Sequence, residues 1–378
     1  MDATDPQPLL DPALRGATTL RRLAWLWSAA ARGLRAPAKA TAACALLPAV
    51  RAAGRVGLAL DPLLFPALRR ARLGPPVVIV GNPRSGTTFL QRFLVEQGVG
   101  CGREVWQMVY PSLTQQAVLR PFLPALEAVA PTRWHNTAAH KTGLTYVETD
   151  DASSLFRFND GFFLYAFFLG HHAADLRPAF EPAHRDTRAR DLDWLEQLWL
   201  RSQVAHGAER VVAKVFSLGA SAPAFQARFP DARMLYMARD PLSTIPSGLS
   251  LVTGVLDAAF GFWSLPEGHQ RRYLDRLYAG LVMLLDRFTD DWRAGRIDRS
   301  RVLRVPFHRL MQDFDGLMGE LLDFVGHPVD GALADALTAQ AARQRAYRSP
   351  HRYDLARFGL TAERVRADTA RFAETFLG

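Results

Sequence analysis

The sequence predicts an α/β fold in which a parallel sheet is flanked by helices on both faces. Apolar runs at 77–80, 210–216 and 233–238 are separated by helical patterns, which is typical of buried parallel strands joined by helices. The first run leads into a tight loop with glycines at 81 and 86, and a helical stretch follows. Such loops hold a phosphate or another oxyanion, because backbone N–H groups and the helix dipole point at it. The predicted class is therefore a P-loop-type sheet with a helical N-terminal extension.

Secondary structure is expected to alternate along the main domain. Residues 75–378 are predicted to form this domain, and residues 1–74 the extension. The strands are expected at 77–80, 210–216, 233–238 and 301–305, and the helices at 87–97, within 112–130 and 150–170, and at 190–206, 219–229, 242–250, 267–294 and 308–326.

The N-terminal extension is rich in alanine, leucine and arginine between residues 17 and 72. Prolines at 37, 48, 62 and 66 interrupt it, so two or three short basic amphipathic helices are expected. Two interpretations remain open at this point. The helices form a cap packed on the main domain, or they contact a membrane surface or a substrate channel, since basic helices with tryptophan and leucine suit an anionic interface.

The composition limits the partners and the compartment. The 378 residues carry a formal charge of +9, which suits an anionic ligand, a membrane surface or nucleic acid. The basic residues are spread along the chain without an arginine-rich arm, so nucleic acid is not expected as a partner. The two cysteines, Cys44 and Cys101, form no C-x-x-C pair, which favours a reducing cytoplasm over a disulfide framework or zinc site. No run of 18 apolar residues occurs, so no membrane-spanning helix is predicted.

The loop lacks a residue that nucleotide triphosphatases need. Gly81 and Gly86 have the spacing of the G-x-x-x-x-G-K-[ST] motif, but Thr87 stands where its lysine belongs. A cation lies inside the loop instead, as Arg84. The loop is therefore not expected to hold the terminal phosphates of ATP in the usual way.

Two further charged positions lie at the carboxyl ends of predicted strands. Lys214 is one of only three lysines and lies late in an apolar strand, where an unpaired ammonium is costly to bury. This cost indicates an anionic partner, although a surface lysine is the alternative. Arg239 directly follows the next strand, and Ser247 lies eight residues later in a predicted helix. Because parallel strands bind ligands at their carboxyl ends, these residues and the loop are expected at one edge.

The three motifs, in this order, resemble the sulfotransferases that use 3′-phosphoadenosine 5′-phosphosulfate (PAPS). The Pro-Arg-Ser-Gly-Thr-Thr segment at 83–88 is similar to the family's 5′-phosphosulfate loop, and an arginine followed eight residues later by serine is similar to its 3′-phosphate site. The resemblance covers roughly residues 75–372, including a segment at 353–361 that is common in bacterial members. It implies that PAPS contacts Arg84, Ser85, Gly86, Thr87, Thr88, Arg239 and Ser247.

The resemblance also implies a reaction and its general base. A sulfuryl group would pass without a metal from PAPS to the hydroxyl or amine of a small-molecule or lipid-like acceptor, with Arg84 and Lys214 stabilising charge. Cys101-Gly102-Arg103-Glu104 is similar to the Cys-Gly-Glu-Glu segment of tyrosylprotein sulfotransferases, which implies Glu104 as base. Arg103 departs from that pattern, and His140 and Glu148 are the alternatives.

Several interpretations stay open from the sequence alone. The aromatic run at 156–168 belongs either to the core or to an apolar acceptor pocket. The basic segment with Arg348, His351, Arg352 and Tyr353 either completes the site or is a solvated turn. A P-loop kinase with Asp240 as magnesium ligand is one rival function, and an inactive nucleotide-binding scaffold at a membrane is another.

Overall fold

One parallel sheet of four strands forms the centre of the computed structural model, which describes residues 18–130, 143–182, 184–347 and 354–378. The strands are β1 (Val77–Val80), β2 (Val212–Lys214), β3 (Arg233–Ala238) and β4 (Val302–Pro306), in the order β2-β1-β3-β4. In this register Val77 lies opposite Val212 on one side and Arg233 on the other. All four residues of β1 are fully buried, as expected for the central strand of a covered parallel sheet.

Helices occupy most of the remaining described chain. They are α1 (Thr19–Ser28), α2 (Pro37–Leu64), α3 (Thr87–Glu96), α4 (Val105–Val109), α5 (Leu113–Leu119), α6 (Leu123–Val129), α7 (Ala152–Phe158), α8 (Phe162–Phe167), α9 (Arg188–His206), α10 (Ala222–Arg228), α11 (Pro241–Phe260), α12 (Glu267–Arg293), α13 (Phe307–Gln312), α14 (Phe314–Phe324), α15 (Gly331–Ala346), α16 (Ala362–Asp368) and α17 (Ala370–Phe376).

The two faces of the sheet have separate hydrophobic cores. Because side chains alternate along a strand, Val78 and Val80 pack on one face with Trp199 of α9 and Phe288 of α12. The neighbouring positions of β1 pack on the other face, against leucines of α3 and α14. The prediction of a parallel sheet with helices on both faces is confirmed.

Proline changes the helices less than the sequence suggested. The expectation of two or three short N-terminal helices is wrong for residues 37–64, where α2 runs unbroken through Pro48 and Pro62. Likewise, α11 continues past Pro246 to Phe260 instead of ending near residue 250. A proline removes one i→i−4 hydrogen bond, and the other backbone bonds of a long helix continue around it. The helix expected at 308–326 is divided into α13 and α14, which meet at Asp313.

Helix α2 is fixed to the domain through a buried carboxylate. Asp61 is inaccessible to solvent and accepts hydrogen bonds from the Ser112 hydroxyl, the Thr114 N–H and the Arg201 guanidinium. Burial alone would raise the pKa of Asp61, but these donors outweigh it and bring the pKa below its ordinary value. A Cβ on Gly57 would lie 2.4 Å from the Ser112 hydroxyl oxygen, so only glycine allows this approach.

Two helices, α2 and α11, are long and apolar enough to cross a membrane by length and composition. The most apolar window of α11 is 61% buried, as is usual for a core helix of a soluble fold. The corresponding window of α2 is only 11% buried. Length and composition do not separate a core helix from a spanning one, but the exposure of α2 sets it apart from α11.

Candidate active site

The phosphate-binding loop connects β1 to α3 at the carboxyl edge of the sheet. Gly81 has φ +134° and a Cβ there would lie 2.7 Å from the carbonyl oxygen of Met237, so the loop contacts β3 too closely for a side chain. The Asn82 amide donates to the Leu281 carbonyl, and the Ser85 hydroxyl donates to the Asn82 carbonyl. These bonds hold the loop rigidly in front of the first turn of α3.

Arg84 connects this loop to the residues that follow β3. It has φ +74°, a left-handed conformation that non-glycine residues rarely adopt and that is often retained at functional sites. Its Nε donates to the Ser247 hydroxyl of α11 at 2.9 Å, and its carbonyl accepts from the Arg239 guanidinium at 2.8 Å. The Arg239 guanidinium also stacks 3.7 Å above the centre of the Phe307 ring. The structure thus brings together Arg84 of the loop, Arg239 at the end of β3 and Ser247 of α11.

Lys214 ends β2 and lies beside the start of α3. Its ammonium is 2.7 Å from the Thr88 hydroxyl and 2.8 Å from the Glu148 carboxylate, and the residue is only 3% exposed. The second oxygen of Glu148 accepts from Arg92, also at 2.8 Å. Lys214 therefore has an anionic partner, as its place in an apolar strand indicated, and that partner includes Glu148.

The loop that carries Glu148 is fastened to the end of β2. The Thr149 hydroxyl and the Asp150 N–H both donate to the carbonyl of Lys214, at 3.0 and 2.9 Å. Asp151 accepts from the N–H groups of Phe216 and Ser217, directly after β2. These four bonds hold the backbone next to Glu148 against the end of the strand that carries Lys214.

Glu104 lies close to this region but has a different environment. It is the N-cap of α4, where its carboxylate accepts from the Gln107 N–H and from the Trp106 indole. The described carboxylates that line the large cavity at the sheet edge are Glu96 and Glu148, and Glu104 is not one of them. The structure therefore does not bring Glu104 together with Arg84 and Lys214 in the cavity.

Arg103, which departs from the family pattern, is a buried structural residue. Its guanidinium donates to the Leu198 carbonyl and the Ser202 hydroxyl of α9, and its Nε lies 3.4 Å from Asp150. Burial lowers the pKa of Arg103 to about 10 and raises the pKa of Asp150 to about 7, while the attraction between the two opposes both shifts. Arg103 thus supports the loop of Glu148 from behind.

A cavity of about 1700 Å³ opens in front of these charged residues. Its polar end is formed by Arg84, Thr88, Glu148, Lys214 and Arg239, together with the Ser247 hydroxyl. The remaining wall is largely apolar and comes from α2, α8 and α11, with contributions such as Leu47, Phe163, Phe167, Val252 and Leu256. Single-ligand pockets usually measure about 300–1000 Å³, so this cavity has room for two ligands.

The aromatic run at 156–168 contributes to both the hydrophobic core and the wall of the cavity. Phe162 and Phe167 are buried in the core and also line the cavity, together with the half-buried Phe163 and Phe168. The core interpretation is therefore confirmed, and the same residues also line a cavity; that this cavity binds the acceptor stays a prediction. His140 and the basic C-terminal segment with Arg348, His351, Arg352 and Tyr353 lie outside the described residues.

Sequence reasoning missed three residues of this site. Arg92 follows Thr88 by one helical turn, so the helical period was enough to place it on the same face. Phe307 directly follows β4, at the strand edge that the other site residues share. Arg343 of α15 also lines the cavity, but it is distant in sequence from every motif and no local signal indicates it.

Comparison with known proteins decides the family. The sequence profile of the Sulfotransferase family matches residues 75–331, about two thirds of the chain. The chain belongs to the sulfotransferase family. Sulfotransferase STF9 from Mycobacterium avium has a similar structure, with a TM-score of 0.66 and 19% identity over 85% of this chain and 82% of that one.

A second solved structure shares the fold of this protein. Sulfotransferase STF1 from Mycobacterium tuberculosis aligns with a TM-score of 0.64 and 20% identity, over 94% of this chain and 92% of that one. At these identities the likeness shows the fold only. No curated protein matches the sequence significantly. The family, the fold and the enzyme class inferred from the motifs are confirmed.

Proposed function

We propose that the enzyme transfers a sulfuryl group from PAPS to the hydroxyl of an amphiphilic acceptor with a long apolar portion. The observation that carries this proposal is the convergence of Arg84, Lys214 and Arg239 at one end of a cavity whose other walls are apolar. The cations suit a polyanionic donor, and the apolar wall suits an acceptor that is mostly hydrocarbon.

The polar end of the cavity fits the two anionic groups of PAPS. The loop at 81–86 and the N-terminus of α3 suit the 5′-phosphosulfate, and Arg84 and Lys214 line the cavity next to that helix terminus. Arg239 and Ser247 suit the 3′-phosphate, with Arg343 of α15 as a further cation at the cavity wall. In this arrangement the positive residues stabilise charge that grows on the leaving phosphate.

The transfer needs a group that removes the acceptor's proton. The acceptor oxygen forms a bond to sulfur, the bond between sulfur and the 5′-phosphate oxygen breaks, and adenosine 3′,5′-bisphosphate leaves with the electron pair. We place Glu148 as the base instead of Glu104, because Glu148 lines the cavity beside Lys214 whereas Glu104 caps α4. When Lys214 turns toward the leaving group, the Glu148 carboxylate loses one cationic partner and accepts a proton more readily.

The apolar part of the cavity sets the proposed acceptor class. The wall follows α11 from Ser247 to Phe260, a distance of about 20 Å at the rise of an α-helix. A wall of this length suits an extended hydrocarbon chain whose hydroxyl reaches the polar end of the cavity, beside Glu148 and Lys214. The carbonyl of Ala259, near the far end, accepts from Lys39 of α2, so the N-terminal helices close this end.

A series of primary alcohols tests the acceptor class. With PAPS as donor, kcat/KM is expected to rise about fourfold for each added CH₂ until the chain fills the cavity. Val252→Trp narrows the apolar part of the cavity and should move the optimal alcohol length to shorter chains. Val329→Trp, on the exposed surface, should leave that optimum unchanged. A preference for short polar acceptors, detected by mass spectrometry of the sulfated products, would contradict a lipid-like acceptor.

Nucleotide binding without a metal tests the donor and separates the enzyme from a kinase. Adenosine 3′,5′-bisphosphate is expected to bind in the presence of EDTA, and Arg239→Ala should weaken it about 10–100-fold because a charged hydrogen-bond donor is lost. The matched control is Arg271→Ala, at an exposed position of α12. Calorimetry that shows a magnesium requirement, or no loss in Arg239→Ala, would overturn the assignment.

The structure offers little to the kinase alternative. Asp240 is exposed and its carboxylate accepts from the Leu242 N–H as the N-cap of α11. It does not line the cavity, and no cluster of metal-binding side chains occurs among the described residues. The cytoplasmic location expected from the cysteine content is part of this proposal, since PAPS would be met there.

A further inference from the structure

Helix α2 presents an exposed face that carries no polar side chain. Ten positions between residues 42 and 64 fall within about 120° of arc on the outer side of the helix, and every one is exposed. Five are alanines and five are the larger residues Leu46, Val56, Leu60, Leu63 and Leu64, four of which are about 60% exposed. We call this face the apolar stripe; it is about 33 Å long at the rise of an α-helix.

Exposed apolar residues gather around this stripe rather than being scattered over the surface. Of 13 large hydrophobic residues that are exposed in the described chain, seven lie on α1 and α2. Two more are Val118, near the end of α5, and Phe122, three residues beyond it; α5 packs against α2. Apolar patches of this size on a soluble protein mark sites that contact a lipid surface or another protein.

The charge around the stripe favours an anionic surface. Residues 18–74 contain ten lysines and arginines and one acidic residue, Asp61, which is buried against Arg201. Exposed arginines flank the stripe. Arg55 lies beside it on α2, and Arg69, Arg70 and Arg72 follow its C-terminal end. A helix with an apolar face and flanking arginines is the arrangement that binds in the plane of an anionic membrane.

The stripe is continuous with the cavity. Ala42 and Leu46 belong to both, since each is exposed on the stripe and also lines the apolar wall. The opposite face of α2 packs on the domain through Gly54, Gly57 and the buried Asp61. That face includes an ion pair, so α2 is suited to lie on a membrane and not to be surrounded by lipid.

We infer that the apolar stripe docks this enzyme on an anionic membrane, so that an acceptor passes from the lipid into the cavity beside Ala42 and Leu46. The docking itself is independent of the proposed reaction, whereas the role in acceptor delivery rests on the proposed reaction. Embedding the stripe removes several large apolar side chains from water, and the arginines add attraction to acidic headgroups.

Sedimentation with vesicles tests the docking. The full chain is expected to bind vesicles of phosphatidylcholine mixed with phosphatidylglycerol, and to bind pure phosphatidylcholine and high-salt samples much more weakly. The double variant Val56→Asp/Leu60→Asp should lower the partition coefficient at least 100-fold, about tenfold for each lost side chain. Arg69→Gln/Arg70→Gln should lower it about fivefold for each arginine, on anionic vesicles only.

The matched control is Val329→Asp/Leu377→Asp, which changes two exposed apolar residues elsewhere on the surface and should bind like wild type. Binding of adenosine 3′,5′-bisphosphate is expected to be unchanged in the stripe variant, so loss of docking and failure of the proposed reaction are distinguishable. Wild-type protein that ignores anionic vesicles would overturn the inference. So would a dimer in solution that the stripe variant converts to a monomer, because a second copy would then cover the stripe.

Discussion

The Glu148→Gln variant is expected to lose about 10²–10⁴-fold in turnover, the usual contribution of a general base. Glutamine keeps the size of the side chain and an oxygen that accepts from Lys214, but it does not take a proton. Affinity for adenosine 3′,5′-bisphosphate should remain, because Arg84, Arg239 and Ser247 are unchanged. The rate of sulfated product formation, measured in a single turnover, separates this loss of chemistry from product release.

Glu104→Gln is the matched control for this prediction. Its carboxylate caps α4 and accepts from the Trp106 indole, so the variant should cost stability and leave turnover within a few-fold of wild type. If Glu104→Gln loses turnover and Glu148→Gln keeps it, the base is Glu104 and the assignment here is wrong.

The sequence predicted the fold well where local patterns carry the information. β1 and β3 occur at the expected residues, because β-branched or apolar runs of four to six residues flanked by a loop have few alternative structures. The helices containing Pro48 and Pro246 were predicted too short, since tertiary packing keeps a helix intact across a single missing hydrogen bond. Proline is therefore a weaker signal inside long helices than at their ends.

The site was predictable in part, for a related physical reason. Arg84, Lys214 and Arg239 each lie at or just after the carboxyl end of a strand, and parallel strands bring these ends to one edge whatever the intervening chain does. The position of Glu148 depends instead on hydrogen bonds from residues 149–151 to the end of β2, which no local pattern reveals. The resemblance indicated Glu104 instead, because Glu104 matches the last glutamate of the Cys-Gly-Glu-Glu segment of tyrosylprotein sulfotransferases. Only the packing of α4 separates the two carboxylates.

The N-terminal helices connect the fold to the choice of acceptor. Asp61 and Arg201 fix α2 on the domain, and the same helix contributes Lys39 and Leu47 to the cavity. The outer face of α2 remains apolar over its length. One helix therefore supports the domain, lines the cavity proposed for the acceptor and presents the surface from which we infer that a lipid-like substrate arrives.

The Lys214→Met variant is expected to lose about 10²–10³-fold in turnover, as when one donor that stabilises a transition state is removed. Methionine has a similar length and suits a buried site, so it fills most of the volume of this 3% exposed position while removing the charge. The loss should be seen in kcat more than in the affinity for adenosine 3′,5′-bisphosphate, because the charge that Lys214 stabilises grows during the transfer. Lys214→Arg should recover little, since a planar guanidinium does not fit the space between Thr88 and Glu148.

The double variant Glu148→Gln/Lys214→Met tests whether the two residues act as a unit. The pair is held at 2.8 Å, and residues in direct contact are rarely additive. Once either partner is gone, the remaining one is poorly placed for the transfer, so the double variant should lose little more than the worse single variant. Independent losses that multiply would mean that base and cation act in separate steps. In that case Lys214 would stabilise the leaving group without influencing proton removal, and the coupling proposed between them would be wrong.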